Sequence, residues 1–317
     1  MPGTSRRIVA VAICCCLNVA LVCAAGARSQ GVEHVSVANV GTGYDVTVAN
    51  GVAYVSVNEG VAIVDVATPA RPRRAGVIEL GEMGLSVEVR DEIAYIGGGG
   101  SLFIYDVADP AAPRQLSRLS VGTAGKMALR GDALFVGLFR GGIRVVDVSD
   151  PSRPAVVGSY ELDGMGGDVL VIGNTLYFAV AQTGLEVLDI SDLSAPVHSA
   201  TVPGTYGAKD IYARGEVLFL ACHKNGVKVV DISDPGNPGL LSSIPWSGEA
   251  WGICGSQDEL WVADLQEGVK LFDIADLGNI IPTGGSSAYA PHDISWADGY
   301  AYLADQDRGL AVVKRSR

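Results

Sequence analysis

Six short segments decide the fold of this chain, because each places an aspartate in the same position among apolar residues. They are Ile63-Val64-Asp65-Val66, Ile104-Tyr105-Asp106-Val107, Val145-Val146-Asp147-Val148, Val187-Leu188-Asp189-Ile190, Val229-Val230-Asp231-Ile232 and Leu271-Phe272-Asp273-Ile274. Successive aspartates stand 41 or 42 residues apart, and a seventh segment, Leu310-Ala311-Val312-Val313-Lys314, follows with lysine in place of aspartate. A constant interval of this length indicates a repeat architecture.

Each repeat predicts four short strands. In the first, the alternating segment Asp45-Val46-Thr47-Val48 meets the turn Asn50-Gly51, which is typical of a two-residue hairpin. A second strand, the aspartate-bearing strand and a fourth strand after a turn rich in Asp and Pro complete the unit. Four strands in about 40 residues correspond to one blade of a β-propeller. We therefore predict an all-β, seven-bladed propeller of four-stranded antiparallel blades.

The two ends of the chain predict how the ring closes. The last repeat ends after its third strand, and Val35–Gly41 resembles the fourth strand Ala75–Gly81 of the first repeat. An N-terminal strand that completes the last blade would remove a free sheet edge. The predicted propeller spans residues 31–317. Its repeats lie at about 43–83, 84–124, 125–165, 166–207, 208–249, 250–291 and 292–317, the last completed by 33–41.

The repeated strand and the turn after it resemble a known family. The apolar-apolar-Asp-Ile/Val strands followed by Ser149-Asp150-Pro151-Ser152-Arg153-Pro154 are similar to LVIVD-repeat proteins. The resemblance covers residues 43–317 and implies a propeller of the kind found in exported or surface-attached microbial proteins. It implies no catalytic residues, because the family signature is structural. Lys314 departs from the signature, as do Asp192-Leu193 and Asp276-Leu277, where the proline is missing.

The first 27 residues have the features of a secretory signal. Arg6 and Arg7 precede an apolar stretch from Ile8 to Ala25, and Ala25-Gly26-Ala27 offers a small-residue cleavage site. A retained membrane anchor and a lipid-modified cysteine are the alternatives. We predict a signal peptide over residues 1–27, an extracytoplasmic protein (secreted, periplasmic or surface-associated) and no membrane span in the mature chain. Cleavage would leave only Cys222 and Cys254, either as a disulfide or as two buried thiols.

Composition excludes several other classes. A chain that is 48% hydrophobic and 18% charged has ample material for a core, which argues against disorder. The formal net charge of −12 argues against nucleic acid as a partner, since phosphate binding needs clustered Lys and Arg. We expect a monomer, because the closed ring leaves no unpaired edge at its seam.

Residues at equivalent positions in most repeats are expected to be structural, so the strand-three aspartates should accept nearby backbone N–H bonds. A second set of equivalent positions lies at the start of the innermost strand of each repeat. The residues at these positions should surround the mouth of the central channel. The charged members of the set are Asp45, Lys126, Asp168, Asp210 and Asp293, and the others are Ser86 and Gly252. The carboxylates could hold a cation, or each could cap its own incoming loop.

Residues that differ between repeats are the candidates for function. The loops that lead into blades two and three are nearly featureless, whereas those of blades five, six, seven and one carry rings and an acid. The predicted ligand-binding residues are Tyr44, Tyr206, Trp246, Glu249, Trp251 and Tyr289. Aromatic rings beside carboxylates suit a protein, peptide or carbohydrate partner, although the rings could also fold back over the blade edges.

The same rim carries the alternative prediction, a metal-assisted hydrolase or lyase. His223, Asp264, His292 and Asp305 are acceptable ligands for a transition metal, but their spacing matches no known motif. No nucleophile elbow or phosphate-binding loop is present in the sequence. The favoured prediction is an exported, non-catalytic binding scaffold without a cofactor, apart from a cation that the mouth or rim could hold.

Overall fold

A computed structural model describes residues 31–316, and the predicted signal peptide lies outside them. Within this range the chain forms 28 strands in seven antiparallel sheets of four, with no helix. Each sheet is one blade, and consecutive strands pair from the channel outward. The predicted seven-bladed propeller is confirmed.

The first four blades are continuous in sequence. Their strands are β2 (Asp45–Ala49), β3 (Val52–Val57), β4 (Gly60–Asp65) and β5 (Arg73–Glu79); β6 (Ser86–Arg90), β7 (Ile93–Gly97), β8 (Ser101–Asp106) and β9 (Arg114–Ser120); β10 (Ala124–Arg130), β11 (Ala133–Leu138), β12 (Ile143–Asp147) and β13 (Ala155–Tyr160); β14 (Gly166–Ile172), β15 (Thr175–Val180), β16 (Gly184–Asp189) and β17 (Val197–Val202).

Blades five and six follow the same plan, and blade seven combines both ends of the chain. The strands are β18 (Asp210–Arg214), β19 (Val217–Ala221), β20 (Val227–Asp231) and β21 (Gly239–Ile244); β22 (Ala250–Gly255), β23 (Glu259–Asp264), β24 (Gly268–Asp273) and β25 (Ile281–Ser286); β26 (Pro291–Ala297), β27 (Tyr300–Asp305), β28 (Gly309–Arg315) and β1 (Val32–Ala38).

The N-terminal strand closes the ring as predicted. β1 pairs antiparallel with β28, from Val32 opposite Arg315 to Ala38 opposite Leu310. Val32 is only 1% exposed and packs in the core between blades six and seven. The first residues that the structure describes therefore contribute both the outer strand of blade seven and part of its apolar contact with blade six.

The apolar core lies between blades rather than inside them. In residues 31–316 the buried side chains form seven clusters, each drawn mainly from two neighbouring blades. The second-strand aromatics contribute one ring to each cluster, and all are buried: Tyr54, Tyr95, Phe135, Tyr177, Phe219, Trp261 and Tyr302. A single blade has no partner for its apolar faces, so the sheets are stable only as neighbours.

The strand-three aspartates and the Asp-Pro turns are structural, as their repetition suggested. The carboxylate of Asp65 accepts the backbone N–H of Ala67, and Asp147 accepts that of Ser149. Asp150 accepts the N–H of Ser152 in the following turn. Each side chain thus fixes the corner between the third and fourth strands.

A bulge in the outer strand of every blade explains the small residues found there. The pairing of β4 with β5 shifts at Ala75, and that of β28 with β1 shifts at the equivalent residue, Val35. The residue after the bulge faces a turn of the next blade. A side chain on Gly76 would collide with the carbonyl of Pro110, whereas the Ser36 hydroxyl donates to the carbonyl of Pro69 at 2.5 Å.

Deletion of residues 31–42 should destabilise the whole ring, because it bares the edge of β28 and removes the buried side chain of Val32. We expect a lower melting temperature, or association through the open edge, measured by thermal unfolding and by light scattering after size exclusion. As a finer comparison, Val32→Asp should cost about 3 kcal/mol of unfolding free energy, and Val37→Asp, at an exposed position, less than about 1 kcal/mol. A monomeric deletion variant with unchanged melting would contradict closure as a source of stability.

Candidate functional site

The predicted channel-mouth residues do come together at the start of the innermost strands. We call Asp45, Ser86, Lys126, Asp168, Asp210, Gly252 and Asp293 the channel ring. Lys126 extends across the mouth, and its Nζ lies 2.7 Å from Asp293 Oδ1, 2.9 Å from Asp210 Oδ1 and 3.6 Å from Asp45 Oδ1. The ammonium group occupies the centre where an external cation would meet the same carboxylates.

The channel-ring carboxylates also connect neighbouring blades. The second oxygen of Asp45 accepts the N–H of Val87 at 2.8 Å, and that of Asp293 accepts the N–H of Val46 at 3.1 Å. Asp168 and Asp210 reach the next blade in the same way, through the backbone N–H groups of Ile211 and Ile253. The expectation that each aspartate caps its own incoming loop was wrong, because the inner strand directs each carboxylate toward the following blade.

The charged side chains of the channel ring shift one another's pKa values. Burial and the neighbouring carboxylates raise the pKa of Asp45 and Asp168 well above the ordinary value for aspartate, although Lys126 pulls in the opposite direction. Burial by itself would lower the pKa of Lys126, but Asp210, Asp293, Asp45 and Asp168 together raise it well above its usual value. Lys126 therefore stays charged and serves as the counterion of the ring.

Replacing Lys126 with methionine should destabilise the protein, because buried carboxylates would lose their counterion. We expect a loss of about 3 kcal/mol of unfolding free energy at pH 8, measured by urea unfolding. Aspartates whose folded pKa is raised favour folding at low pH and lose that contribution as pH rises through the folded pKa. The loss should therefore shrink at pH 5. Lys228→Met, which removes a half-buried ammonium group that donates to the Ser243 hydroxyl outside the channel ring, is the control. An equal loss at both pH values would contradict the counterion role.

Below the channel ring lies a cavity of about 300 Å³ along the propeller axis. Glu88, Tyr212 and Trp296 line it together with the ring residues. Glu88 makes no hydrogen bond or ion pair within residues 31–316, and burial raises its pKa to about 7, against the weaker opposing effect of Lys126 and Arg90. Sequence reasoning missed this residue, because its only signal was a charge two positions after the channel column on an inner strand.

Glu88→Gln should change the pH dependence of stability. A carboxyl group whose pKa rises from 4.5 to about 7 on folding stabilises the fold below pH 4.5, and that contribution disappears as pH rises through 7. The neutral variant should match the wild type near pH 4.5 and exceed it by about 2 kcal/mol near pH 9, measured by urea unfolding. Glu216→Gln, on an exposed turn, should show no such difference. Parallel pH profiles for Glu88→Gln and the wild type would refute this assignment.

Directly above the channel ring, the rings of four side chains form a continuous line, which we call the aromatic arc: Tyr44, His292, Trp251 and His223. Successive ring centres are 5.5 Å, 5.8 Å and 5.5 Å apart. Tyr44, Trp251 and His292 each immediately precede a channel-ring residue. The same position is occupied in blades two, three and four by Leu85, Gly125 and Gly167, so the arc surrounds only one side of the mouth.

Polar groups border the aromatic arc. The carboxylate of Glu249 lies 3.4 Å from both His223 Nε2 and Lys224 Nζ. Lys209 Nζ lies 5.2 Å from the ring centre of Trp251 and makes no hydrogen bond or ion pair within the described residues. Burial lowers the pKa of Lys209. Lys209 was not among the predicted site residues, although it precedes Asp210 just as Trp251 precedes Gly252.

Trp251 Nε1 and His292 Nε2 are both shielded from solvent, while the side chains that carry them are half-buried. Burial opposes ionisation of Glu249, but His223, the indole N–H of Trp251 and Lys224 lower the pKa of this carboxyl, so Glu249 is the acceptor nearest to Trp251 Nε1. His292 Nε2 has no hydrogen-bond partner within residues 31–316. Burial lowers the pKa of His292, and the charges of Asp293 and Asp305 act in the opposite direction. Buried polar atoms are normally paired, so the unpaired nitrogen of His292 is an unusual feature.

Two of the predicted ligand-binding aromatics are not free at the surface. Tyr289 is 7% exposed; its hydroxyl group lies 2.7 Å from His34 Nδ1, so it links the loop between blades six and seven to β1. The indole N–H of Trp246 donates to Asp264, and its ring lies 5.7 Å from that of Phe272. The prediction that these rings are displayed at the rim was wrong, because both fold back over their blades. Tyr206 is 57% exposed and stays a candidate.

The four predicted metal ligands serve different local roles. Asp264 is fully buried and accepts the backbone N–H groups of Glu249, Gln266 and Glu267. Asp305 is also fully buried, and it accepts the N–H groups of Ala290, Asp307 and Arg308. Both carboxylates fix loops, whereas His223 and His292 belong to the aromatic arc. Within residues 31–316, no three His, Cys, Asp or Glu side chains converge as a metal site would require.

The two cysteines of the described chain are free and buried. Cys222 belongs to the cluster between blades four and five, and Cys254 to the cluster between blades six and seven. Burial raises the pKa of Cys222 to about 12, which keeps the thiol protonated and unreactive. Of the two alternatives from the sequence, the structure has the buried thiols.

An exposed side chain on the opposite side of the mouth was also missed. Phe139, in the loop between β11 and β12, is 44% exposed, and Arg140 follows it. This loop joins the second and third strands of blade three, and the metal candidates predicted from such loops lie in blades five, six and seven. Phe139 supplies an exposed ring on the same face but far from the aromatic arc along the ring of blades.

The fold and the site define a class: a closed seven-bladed β-propeller with a charged channel mouth, a type of repeat fold that generally serves as an interaction scaffold. The family model described as the LVIVD repeat matches six segments, residues 40–78, 83–119, 121–161, 163–202, 207–244 and 290–314. These matches cover more than half of the chain, which therefore belongs to the LVIVD repeat family. The family model does not match blade six, yet β22–β25 complete an ordinary blade there.

Solved structures with a similar fold come from unrelated sequences. The Pan2 WD40 domain of Neurospora crassa is 10% identical with a TM-score of 0.71, covering 92% of this chain and 97% of that one. Raptor of Chaetomium thermophilum is 14% identical with a TM-score of 0.71, covering 92% and 30%. The computationally designed Ika8 protein is 11% identical with a TM-score of 0.63, covering 89% and 99%. These likenesses establish the fold alone.

No curated protein matches the sequence. Among residues 31–316, there is also no helix of the length and apolar character needed to cross a membrane.

Proposed function

We propose that this protein is an exported, non-catalytic scaffold that binds a protein, peptide or carbohydrate partner at the aromatic arc and the adjoining Tyr206 and Glu249. The observation that carries the proposal is the asymmetry of the mouth. Four contacting rings occupy blades five, six, seven and one, while the equivalent positions of blades two to four hold Leu85 and two glycines.

Binding would follow from positions that the fold already holds fixed. Trp251 and His292 lie in the inner strands β22 and β26, Tyr44 immediately precedes β2, and the backbone of His223 pairs with that of Ala250. The rings therefore need little ordering when a partner arrives. Preorganised side chains retain more of the interaction free energy than mobile ones do. Loops carried on a rigid framework are also where binding residues concentrate in proteins.

Export is supported by the sequence of the leader. Arg6-Arg7, the apolar stretch that follows and Ala25-Gly26-Ala27 together have the order of a cleavable secretory signal. The free cysteines are both buried, which suits an oxidising compartment because neither thiol is accessible. The partner would then be met outside the cytoplasm, in solution or at the cell surface.

Alanine substitution at the arc should weaken binding without unfolding the ring. Labelled protein is applied to immobilised peptides and oligosaccharides, and affinities are measured for the members that bind. We expect Tyr206→Ala and Trp251→Ala each to lower affinity by about tenfold or more, as anchor aromatics do. Tyr206→Ala should keep the wild-type melting temperature, since its ring is mostly exposed.

The matched control is Phe139→Ala, which removes an exposed ring on the same face but outside the aromatic arc. Its affinity should stay within about twofold of the wild type, since interface substitutions away from an anchor are nearly neutral. If Phe139→Ala abolishes binding while Tyr206→Ala and Trp251→Ala bind normally, the partner engages the other side of the mouth and the proposal fails.

A further inference from the structure

In three blades the inner strand ends in an arginine that reaches into the next blade. Each guanidinium group donates to the carbonyl of the first residue in that blade's hairpin turn. The pairs are Arg90 with Gly131, Arg130 with Gly173 and Arg214 with Gln257. Second-strand rings lie beside two of these groups, with ring centres 5.6 Å away for Phe135 and 5.9 Å away for Phe219. The repeat thus contains a guanidinium site between neighbouring blades.

Blade six lacks this arginine and carries an acid beside the corresponding position. Counted from the residue that pairs with the second-strand ring, Ser256 corresponds to Arg214. Its N–H donates to the carbonyl of Glu259 across the hairpin turn at 2.8 Å. Glu259 has no charged counterpart in the other six blades, where the equivalent residues are Val52, Ile93, Ala133, Thr175, Val217 and Tyr300. One blade therefore loses the guanidinium group and gains a carboxylate at the same corner.

A cavity of about 460 Å³ lies at this corner, on the face of the propeller opposite the channel mouth. Ser256 and Glu259 line it from blade six, while Trp296, Asp298 and Tyr300 line it from blade seven. The volume is within the range of sites for small ligands. Where three other blades have an arginine side chain, the short serine leaves a space open to a ligand.

A second departure from the repeat extends the same cavity. The residue after the strand-three aspartate is a buried Val or Ile in six blades: Val66, Val107, Val148, Ile190, Ile232 and Ile274. Blade seven has Arg315 at this position, and its side chain is 46% exposed. Arg315 lines the cavity together with Lys314. The cavity therefore continues to the end of β28, where no apolar side chain fills it.

The two bases that line the cavity are already paired with acids. Arg315 Nη1 lies 2.8 Å from Glu259 Oε1, and Lys314 Nζ lies 3.1 Å from Glu33 Oε1. Asp298 makes no ion pair within residues 31–316. Its backbone carbonyl, which is equivalent to those that accept from the three arginines, accepts no hydrogen bond there. Three acids thus face two bases, and one additional cation would balance them.

We propose that this cavity binds a guanidinium group, which takes the position of the arginine that blade six lacks. Glu259 already accepts from Arg315 at 2.8 Å and from the Trp261 indole at 3.4 Å. A carboxylate has about four lone-pair sites, so two bonds leave it able to accept more. Asp298 supplies further acceptor oxygens, and the Trp296 ring offers an aromatic surface on which guanidinium planes stack.

A guanidinium group fits this site better than an ammonium group, because its five N–H donors form a planar fork that serves a carboxylate and a carbonyl together. The site lies on the face opposite the aromatic arc and goes beyond the proposed function. The guanidinium group belongs either to an arginine side chain of a protein partner or to a free guanidino compound, and the experiment separates these two sources.

The probes are N-acetylarginine methylamide and the peptide Gly-Gly-Arg-Gly-Gly, each paired with a citrulline counterpart that keeps the shape of the side chain without its charge. N-acetyllysine methylamide and N-acetylglutamate methylamide represent an ammonium group and an anion. All are titrated calorimetrically against the purified protein. Both arginine probes should bind at least about tenfold more tightly than their citrulline counterparts, because charge-assisted hydrogen bonds are lost.

Four variants locate the binding. Ser256→Arg restores the arginine of the other blades, so it should abolish binding and keep the wild-type melting temperature. Ile172→Arg adds the same side chain at the equivalent position of blade four and should bind like the wild type. Glu259→Gln should weaken binding about tenfold, since it removes the charge of the acceptor. Arg315→Met frees an oxygen of Glu259, so it should tighten binding about two- to fivefold.

The two sources of the group give different results, and both support the site. A peptide that binds more tightly than the capped amino acid indicates a protein partner, whereas equal affinities indicate a free guanidino compound. Trp251→Ala should change neither affinity, so the proposed function and this inference can fail separately.

Several results would overturn the inference. One is that no arginine probe binds, or that the citrulline or lysine probes bind as tightly as arginine. Another is that Ser256→Arg and Glu259→Gln both bind like the wild type, which places the ligand elsewhere. If N-acetylglutamate methylamide binds and Arg315→Met abolishes its binding, the cavity is an anion site.

Discussion

The structure depends on one constraint, that each four-stranded blade can bury its apolar faces only against its two neighbours. In the described chain the core is divided into seven inter-blade clusters, so no blade contains a core of its own. Such an arrangement is stable only if the last blade packs against the first, because an open row of blades would expose two apolar faces. The pairing of β1 with β28 completes blade seven and closes the ring. The Tyr289–His34 contact and the burial of Val32 hold β1 in this position.

The same constraint explains why the channel mouth is highly charged. The inner strands converge there, and the backbone N–H groups of one blade need acceptors from another. Asp45, Asp168, Asp210 and Asp293 meet this need through one carboxylate oxygen each, which leaves the other oxygen directed into a narrow space. Four such groups repel one another, and Lys126 offsets the repulsion from within the repeat itself. Lys126, the one basic residue of the channel ring, therefore compensates the charge of its four aspartates.

The residues one position before the channel ring do not supply the carboxylates that accept N–H groups of the next blade. Here the repeats diverge: Tyr44, Lys209, Trp251 and His292 crowd one side of the mouth, while Gly125 and Gly167 leave the other side low. Close packing limits this variation in blade four, because a side chain on Gly167 would collide with the backbone carbonyl of Lys209. The rings of Tyr44, Trp251 and His292 are therefore carried only where the neighbouring blade leaves room for them.

The sequence by itself determined the blade number, the four strands of each blade, the closing strand and the structural role of the repeated aspartates, because these follow from a constant interval and from alternating local patterns. It also brought the channel column together, since equivalent positions of a ring must meet at the axis. Only the tertiary structure decided which rings are free. Tyr289 and Trp246 read like Tyr206 and Trp251 in sequence, yet the first two fold onto their blades, because His34 and Asp264 stand within reach of their polar atoms. Glu88 and Lys209 could be recognised as unusual only from the tertiary structure. Their burial and their lack of a partner depend on the residues that surround them and not on the strand or loop that carries them.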